Sequence, residues 1–537
     1  MKKTAQEIWQ EYEYALQYND TIGLESRVEK NENFFLGKQW EGVNAPDLDK
    51  PVFNILKRVV NYFIAMLVSD NIGVGLSLFN RKSDGVNRVI LTAVEEQVRQ
   101  VMEYNGFHSA MRGILRDAAV DGDGVLHVFF NADAKTGRAG EKGLIEIESI
   151  DNTDIFFGNP QLAGVQRQPY ILIESRRSVE DVKEEMRRNR APKAEIEKIQ
   201  SDCPRNDALA SEYTYGDKVS VLTKYWREGN HIRFCKVTRN AVVQKETDSG
   251  LERYPICYMS WERVKNCYHG MGVIDGLIPN QMAINKMAAL AQRFIRQQAF
   301  PRIFFNKNKL DKWVEGVKPL AVQGNPSDII YADTHAVNMS GQVGEYIDRF
   351  IGNTKELMGA SDAALGNVNP ENTSAIIAVQ KATAMPLELV KQAYYQFVED
   401  FVRICIDQMR AYYGKRTVLT TSEAGEQEEI PLDFSMLGDM VLSLNVDIGA
   451  SAYWSEMSNI QTLDNLYEKG LLEPVTYLES IPAHLVPNKA KIESDARRRM
   501  EMQEAAGGEE VKEDAMPQMQ TMRNAGDGTK GTADGGR

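Results

Sequence analysis

Apolar positions along the chain recur every three to four residues in some blocks and every second residue in others, and the blocks alternate. Ile8, Trp9, Tyr12 and Leu16 predict a helix over residues 5–18. A polar break follows, then Phe34-Phe35-Leu36-Gly37-Lys38-Gln39-Trp40 and a loop with Pro46 and Pro51. Residues 52–68 and 95–120 predict two further helices, the latter ending at Asp121-Gly122-Asp123-Gly124. There the period changes to two: residues 125–130 and 144–150 read as a hairpin around the tip NADAKTG. Residues 170–174 predict a strand and 178–190 a charged helix, with Ser178 as its N-cap and Glu180 and Asp181 in its first turn. The charged stretch 190–217 reads as a surface excursion. Residues 219–226, 231–238 and 241–245 read as a meander, followed by 255–262.

After Gly270 the helical period returns. Residues 274–299 would make a helix of about 39 Å at 1.5 Å per residue. Its stripe of Ile274, Leu277, Ile284, Ala288, Ala291 and Ile295 needs an apolar neighbour, which Val343, Ile347, Phe350 and Leu357 on a second helical pattern could supply. Between the two lies a strand-rich insertion, residues 301–337. Residues 359–373, GASDAALGNVNPENT, are a linker made mobile by glycine, asparagine and proline. The longest pattern, 373–413, places Val390, Tyr394, Phe397, Phe401, Cys405, Gln408 and Tyr412 on one face, and Pro386 predicts a break near 384–386. Residues 417–421 and 440–446 read as strands across a polar loop. Residues 455–469, 474–480 and 488–504 read as helices. From about 507 the chain has Val511 as its only branched aliphatic and no aromatic residue, and it is expected to be disordered.

Length and charge narrow the function. A chain of 537 residues suffices for two to four domains. A formal net charge of −13 argues against a protein that coats nucleic acid. The longest apolar run, 59–68, is too short for a membrane span. No apolar segment follows the basic Met1-Lys2-Lys3, so no signal peptide is visible and use in a cytoplasm is expected. The five cysteines, scattered and without metal-like spacing, read as reduced packing residues. No phosphate-binding loop, HExxH, GxSxG or GxGxxG signature is present. His127, alternating with apolar neighbours, reads as a structural residue. Asp121 and Asp123, flanking glycines, read as solvated turn residues bonded to backbone rather than as a calcium loop. No catalytic, metal or cofactor site is expected. One local feature breaks the acidic balance: from Gly276 to Leu310 there is no acidic residue, while Lys286, Arg293, Arg296, Arg302, Lys307 and Lys309 are present.

Taken in order, several segments resemble the portal proteins of tailed bacteriophages. Phe35-Leu36-Gly37-Lys38-Gln39-Trp40 followed by Pro51-Val52-Phe53-Asn54-Ile55-Leu56 is similar to their early region. RDAAVDGDGVLHVFF within residues 115–130 resembles their helix–Gly–strand junction, and IDNTDIFFGNP within 147–160 a wing strand and turn. GMGVIDGLIPNQ (270–281) is similar to the start of their first stem helix, and 374–384 to the segment after their tunnel loop. The likeness runs over roughly residues 30–500.

The resemblance implies a mixed α+β, helix-rich portal fold with wing, stem, clip and crown, assembled as a ring of twelve in the virion. It divides the chain into a wing (1–269), a first stem helix (270–300), a clip (301–340) and a second stem helix (341–358). A tunnel loop (359–373), a long kinked wing helix (374–414), a β-rich wing return (415–452), crown helices (453–506) and a disordered tail (507–537) follow. It implies double-stranded DNA in a central channel, and the terminase large subunit, the major capsid protein and scaffold, and head-completion or tail adaptor proteins as partners, with no membrane. The expected location is a capsid vertex of the virion, after assembly in the bacterial host cytoplasm. Candidate channel residues are Lys286, Arg293 and Arg296, facing either the lumen or an acidic neighbouring subunit, and Asn367, Asn369 and Asn372, which could touch phosphates without charge; the alternative is a plain helix-to-helix linker in which Asn372 or Thr373 caps the next helix. Arg302, Lys307, Lys309, Lys312 and Lys318 make the clip basic, fit either for docking an acidic partner or for plain solvation. The alternative for the helix pair is a plain antiparallel pair in a globular core. Another structural or scaffolding component of the virion, or a nucleic-acid-processing enzyme, are the alternative functions.

Overall fold

A computed structural model describes residues 4–299 except 47, 69–71, 79–84, 138–140 and 203–216; 303–305, 329–331, 339–357, and 387–448 except 422–426 and 441; and 460, 463–470, 472, 474–481, 489, 492, 496 and 498. They fall into two compact units, residues 1–420 with 428–454, and 421–427 with 455–537.

The first unit opens with three helices: α1 (Ala5–Thr21), α2 (Leu24–Leu36) and α3 (Ile55–Leu67). A capping box starts α1, where Glu7 N donates to Thr4 Oγ1 at 3.3 Å and Thr4 N to Glu7 Oε2 at 2.7 Å. Strand β1 (Ile72–Leu78) follows, then α4 (Gly85–Tyr104) and α5 (Phe107–Asp121). The single helix expected over 95–120 is thus two, because Gly106 takes a left-handed φ of 57° between them. Next come β2 (Asp123–Lys135), β3 (Lys142–Ile150), β4 (Ile155–Phe157) and β5 (Tyr170–Ser178). Then α6 (Val179–Arg188), the short α7 (Lys193–Ile196), β6 (Lys218–Glu228), β7 (His231–Val237), β8 (Val242–Asp248) and β9 (Ile256–Ser260) complete the N-terminal half. Ser178 does sit at the α6 N-cap, but its side chain makes no capping bond.

Strands β4-β5-β6-β7-β8 form one antiparallel sheet, which confirms the meander. Its middle strands are apolar at consecutive positions because both faces are covered. Phe156, Leu172 and Leu222 point toward Ile8 and Tyr12 of α1. Ile155, Phe157, Ile171 and Ile173 point the other way, into a core shared with Ile256 of β9 and Tyr268. The predicted hairpin is the β2–β3 pair, and β9 pairs with the other edge of β2.

Helix α8 (Ile278–Ala299) and α9 (Met339–Leu357) pack against each other. Between them in sequence, β10 (Ile303–Phe305) and β11 (Ile329–Tyr331) pair antiparallel, as the strand-rich insertion predicts. Helix α10 (Glu388–Tyr412) begins two residues after Pro386, and the expected kink lies outside the described residues. The face predicted for it is the buried one, from Val390 and Tyr394 through Phe397, Phe401, Cys405 and Gln408. With α3, α4, α5 and β2 it builds the largest core, in which Phe107 stacks on Phe401 at 4.3 Å. The chain returns through β12 (Lys415–Thr421), β13 (Gln427–Asp433) and β14 (Leu442–Ile448). Here the pairing departs from expectation: β12 pairs with β13, and β14 crosses the chain to pair with β1.

In the second unit, residues 463–468 are helical and α11 spans Pro474–Ser480. Tyr477 Oη donates to Asp464 Oδ1 at 2.5 Å, and its ring lies 4.8 Å from that of Tyr467.

Candidate functional site

The base of α8 is held by polar and backbone contacts to segments far away in the sequence. Just before the helix, residues 270–273 cross the junction between α5 and β2 at backbone contact distance. A Cβ on Gly272 would stand 2.5 Å from the Val120 carbonyl oxygen and 2.7 Å from that of Ala119. One on Gly122, whose φ is 103°, would stand 2.6 Å from the Gly270 oxygen. Only glycine lets the two strands of backbone meet this closely. The crossing is stitched by Val273 N donating to Ala119 O at 2.8 Å and Trp261 N to Gly122 O at 2.9 Å.

Helix α2 clasps the same crossing from outside. Arg27 Nη2 donates to Gly270 O at 2.9 Å, and Asn31 Nδ2 donates to Val120 O at 2.8 Å and to Asp275 Oδ1 at 3.0 Å. Beneath it, Asp123 is 1% exposed and collects Ser260 Oγ, Gly270 N and His269 Nδ1, at 2.9, 2.8 and 2.9 Å. The sequence reading of Asp123 as a solvated turn residue is therefore corrected. It does bond to backbone, but from the interior, because β9 and residues 268–270 close over the turn.

One turn into α8, a second polar cluster forms. Gln281 Nε2 donates to Phe53 O at 2.7 Å and to Asn285 Oδ1 at 2.9 Å, while Ile55 N donates to Gln281 Oε1 at 3.2 Å. Asn285 Nδ2 donates to Gln39 Oε1 at 2.5 Å, and Gln39 Nε2 to Phe34 O at 2.9 Å. Asn54 caps α3 by accepting from Lys57 N at 3.0 Å, and its amide donates to Phe35 O at 2.8 Å. Gln39, Gln281 and Asn285 are buried, so each bond is made away from competing water. Three segments that sequence resemblance singled out separately, 35–40, 51–56 and 270–281, thus meet at one place. Across the hairpin, Asn280 Nδ2 reaches Thr354 Oγ1 of α9 at 3.5 Å.

The exposed side of α8 is different in kind. Ile284 and Ala288 are buried, as predicted, and Ile274 and Leu277 are buried just ahead of the helix. Ile295, expected in the same stripe, is 54% exposed, since the helix runs past the core, whose last α8 member is Ala289. Lys286 and Arg293 are exposed on the opposite face, while nothing is described of the Arg296 side chain on the same helix. Asn367, Asn369, Asn372, Arg302, Lys307, Lys309, Lys312 and Lys318 lie outside the described residues.

Two further polar features are structural. On α5, burial and the neighbouring Glu32 carboxylate push Asp121 up to about 9, while Arg116 pairs with Glu32 and, at 2.9 Å, with Asp117. A cavity of about 980 Å³ lies between the β2–β3 hairpin and the five-stranded sheet, but its central charges, Arg177, Glu185 and Lys236, satisfy one another. His127 on its wall lies 3.0 Å from Tyr225 Oη and is lowered to about 4 by burial and by the charge of Lys236, so it is a neutral structural residue, as its strand pattern indicates. Cys235, Cys257 and Cys405 are buried packing residues, again as read. Among the described residues no helix is long and apolar enough to cross a membrane.

No curated protein matches the sequence. A family model, that of the Phage P22-like portal protein, matches residues 167–452, just over half of the chain. The match takes in most of the five-stranded sheet, the α8–insertion–α9 hairpin, α10 and the returning strands, while the N-terminal partners of the α8 root lie before it. By that span, the chain belongs to the Phage P22-like portal protein family.

Proposed function

We propose that the chain forms the ring at one vertex of a phage head, serving as the channel for double-stranded DNA during packaging and ejection. Membership of a structural, non-enzymatic family of portal proteins places it among virion components. The observation that carries the finer reading is the α8–α9 hairpin: two long helices packed on each other, with α8 bound at its base into the main core by buried amides and a glycine crossing. A hairpin held this way is stiff at its root and free along its outer face, which suits the wall of a channel. The net charge of −13 supports the same reading. Each neutralised phosphate adds counterion-release free energy, so a strongly basic bore would hold the duplex instead of passing it.

In this reading residues 270–300 and 341–358 are the stem and 301–340 the clip. The clip's Arg302, Lys307, Lys309, Lys312 and Lys318 offer docking for the terminase large subunit during packaging and for head-completion or tail adaptor proteins afterwards. Residues 359–373, with Asn367, Asn369 and Asn372, form a tunnel loop beside the DNA. Twelve copies, residues 453–506 as the crown, and contact with the major capsid protein and scaffold belong to the same proposal. Negative-stain microscopy of the purified full-length chain tests it. Rings with an axial hole are expected. Particles that stay single-chain at every protein and salt concentration would overturn it in favour of another virion or assembly component.

A further inference from the structure

We infer that the outward stripe of α8, formed by Met282, Lys286, Leu290 and Arg293, is a subunit seam that docks on the acidic face of α9, at Glu345 and Asp348, of a second copy of this chain. The inference rests on the ring reading and names the surface that would close the ring.

Met282, Lys286, Leu290 and Arg293 are spaced by four, four and three residues, so they share one face, opposite Ile284 and Ala288. Met282 is 50% and Leu290 47% exposed, and among the described residues no hydrogen bond or ion pair engages Lys286 or Arg293. A face looking onto water and a polyanion has no use for Met and Leu between its cations, because their burial is what makes apolar surface favourable. A protein seam uses both: the apolar pair is covered and the cations meet acids at its rim. Helix α8 contains three cations and no acid. Helix α9 exposes Glu345 and Asp348 three residues apart on its outer side, with the exposed Arg349 beside them, so the cluster keeps one acid in excess for a cation of another copy. On the Glu345 flank, about 100° round the helix from it and away from Asp348, Tyr346 is 51% exposed, offering aromatic surface at the edge of the seam.

Geometry adds direction. Because α8 and α9 pack side by side in one chain, each copy presents the wholly cationic α8 and the Glu345–Asp348 side of α9 as two different surfaces. Pairing them between copies is heterologous, head to tail, the arrangement that closes into a ring. Lys286 and Arg293 therefore belong to the seam and not to the channel lumen.

The test uses full-length chains and mass photometry, with far-ultraviolet circular dichroism to show that each variant is folded. Lys286→Glu with Arg293→Glu is expected to raise the concentration needed for half-assembly at least tenfold, and so is Glu345→Lys with Asp348→Lys. Carrying all four substitutions in one chain should restore rings to within about threefold of the wild type. A second measurement replaces Leu290 and Tyr346 by cysteine: oxidation should give a ladder of linked chains that the wild type, with its own cysteines, does not give. Wild-type rings together with unaffected double variants, or a quadruple variant that stays dissociated, or no ladder, would overturn the seam and leave the portal reading standing. A wild type that never assembles would overturn both.

Discussion

The sharpest test of the α8 root is a single methyl group at Gly272. Its backbone lies in an ordinary region, so only space forbids a side chain there. The added carbon would stand 2.5 Å from the Val120 oxygen, and the two segments must part by about half an ångström to reach even 3.0 Å. That displacement falls on two bonds, Val273 N to Ala119 O and Asn31 Nδ2 to Val120 O, both 2.8 Å. Losing them costs about 1 kcal/mol each, and the overpacking itself about 1–3 kcal/mol, so Gly272→Ala should destabilise the crossing by about 3–5 kcal/mol. Hydrogen exchange read by mass spectrometry on peptides covering residues 268–280 reports this locally, without requiring the whole chain to unfold in one step. Protection should fall by roughly a hundredfold to a few thousandfold, since each 1.4 kcal/mol is about tenfold. Gly276, four residues on, meets nothing within 4 Å and supplies the control: Gly276→Ala should change exchange by no more than about threefold, or roughly 0.5 kcal/mol. Equal behaviour of the two variants would refute the claim that backbone proximity at the crossing fixes the helix.

Asn285→Leu should free the α8 root while leaving the apolar core alone, because it strands Gln39 Oε1 in the interior at about 1–3 kcal/mol and leaves Gln281 Nε2 only its bond to Phe53 O. Limited proteolysis should then cut near residues 37–54 at least tenfold faster than in the wild type, and an unchanged rate would show that the amides are dispensable. Asp121 gives a pH prediction. The folded chain keeps its proton up to about pH 9, whereas the unfolded chain releases it near the ordinary 3.8, so its contribution is complete below about pH 4 and is lost as pH rises to 9. Asp121→Asn should flatten the decline in melting temperature between pH 5 and 9, and parallel curves for the two proteins would dismiss the assignment.

Local order was legible where burial imposes a period on the residues. Strands β4 and β5 are apolar at successive positions because helix and sheet cover both sides, and Val390 through Gln408 fall on one face because α10 lies against a single core. Helix α2 escaped notice: its sequence, LESRVEKNENFFL, buries Leu24, Asn31, Phe34 and Phe35, and much of its fixing comes from polar bonds that leave no hydrophobic rhythm. The α4–α5 break was hidden because the periodic positions continue across Gly106. Pairing of β14 with β1 could not be seen at all, since neither strand's pattern specifies a partner. At the candidate site, the exposure of Lys286 and Arg293 followed from their place on the polar flank of α8. The convergence of Gln39, Asn54 and Gln281 did not, because only the folded chain shows which amide meets which carbonyl.

The β1–β14 ladder also sets a timetable for making the protein. Leu78 and Leu442 are neighbours in the sheet, so β1 leaves the ribosome more than 360 residues ahead of its partner. At about 5–20 residues per second it waits roughly 20–70 seconds with an unpaired edge. A nascent chain cut short before residue 442 would keep that edge open for good, and would be prone to stick to other chains before it could take a place in any assembly.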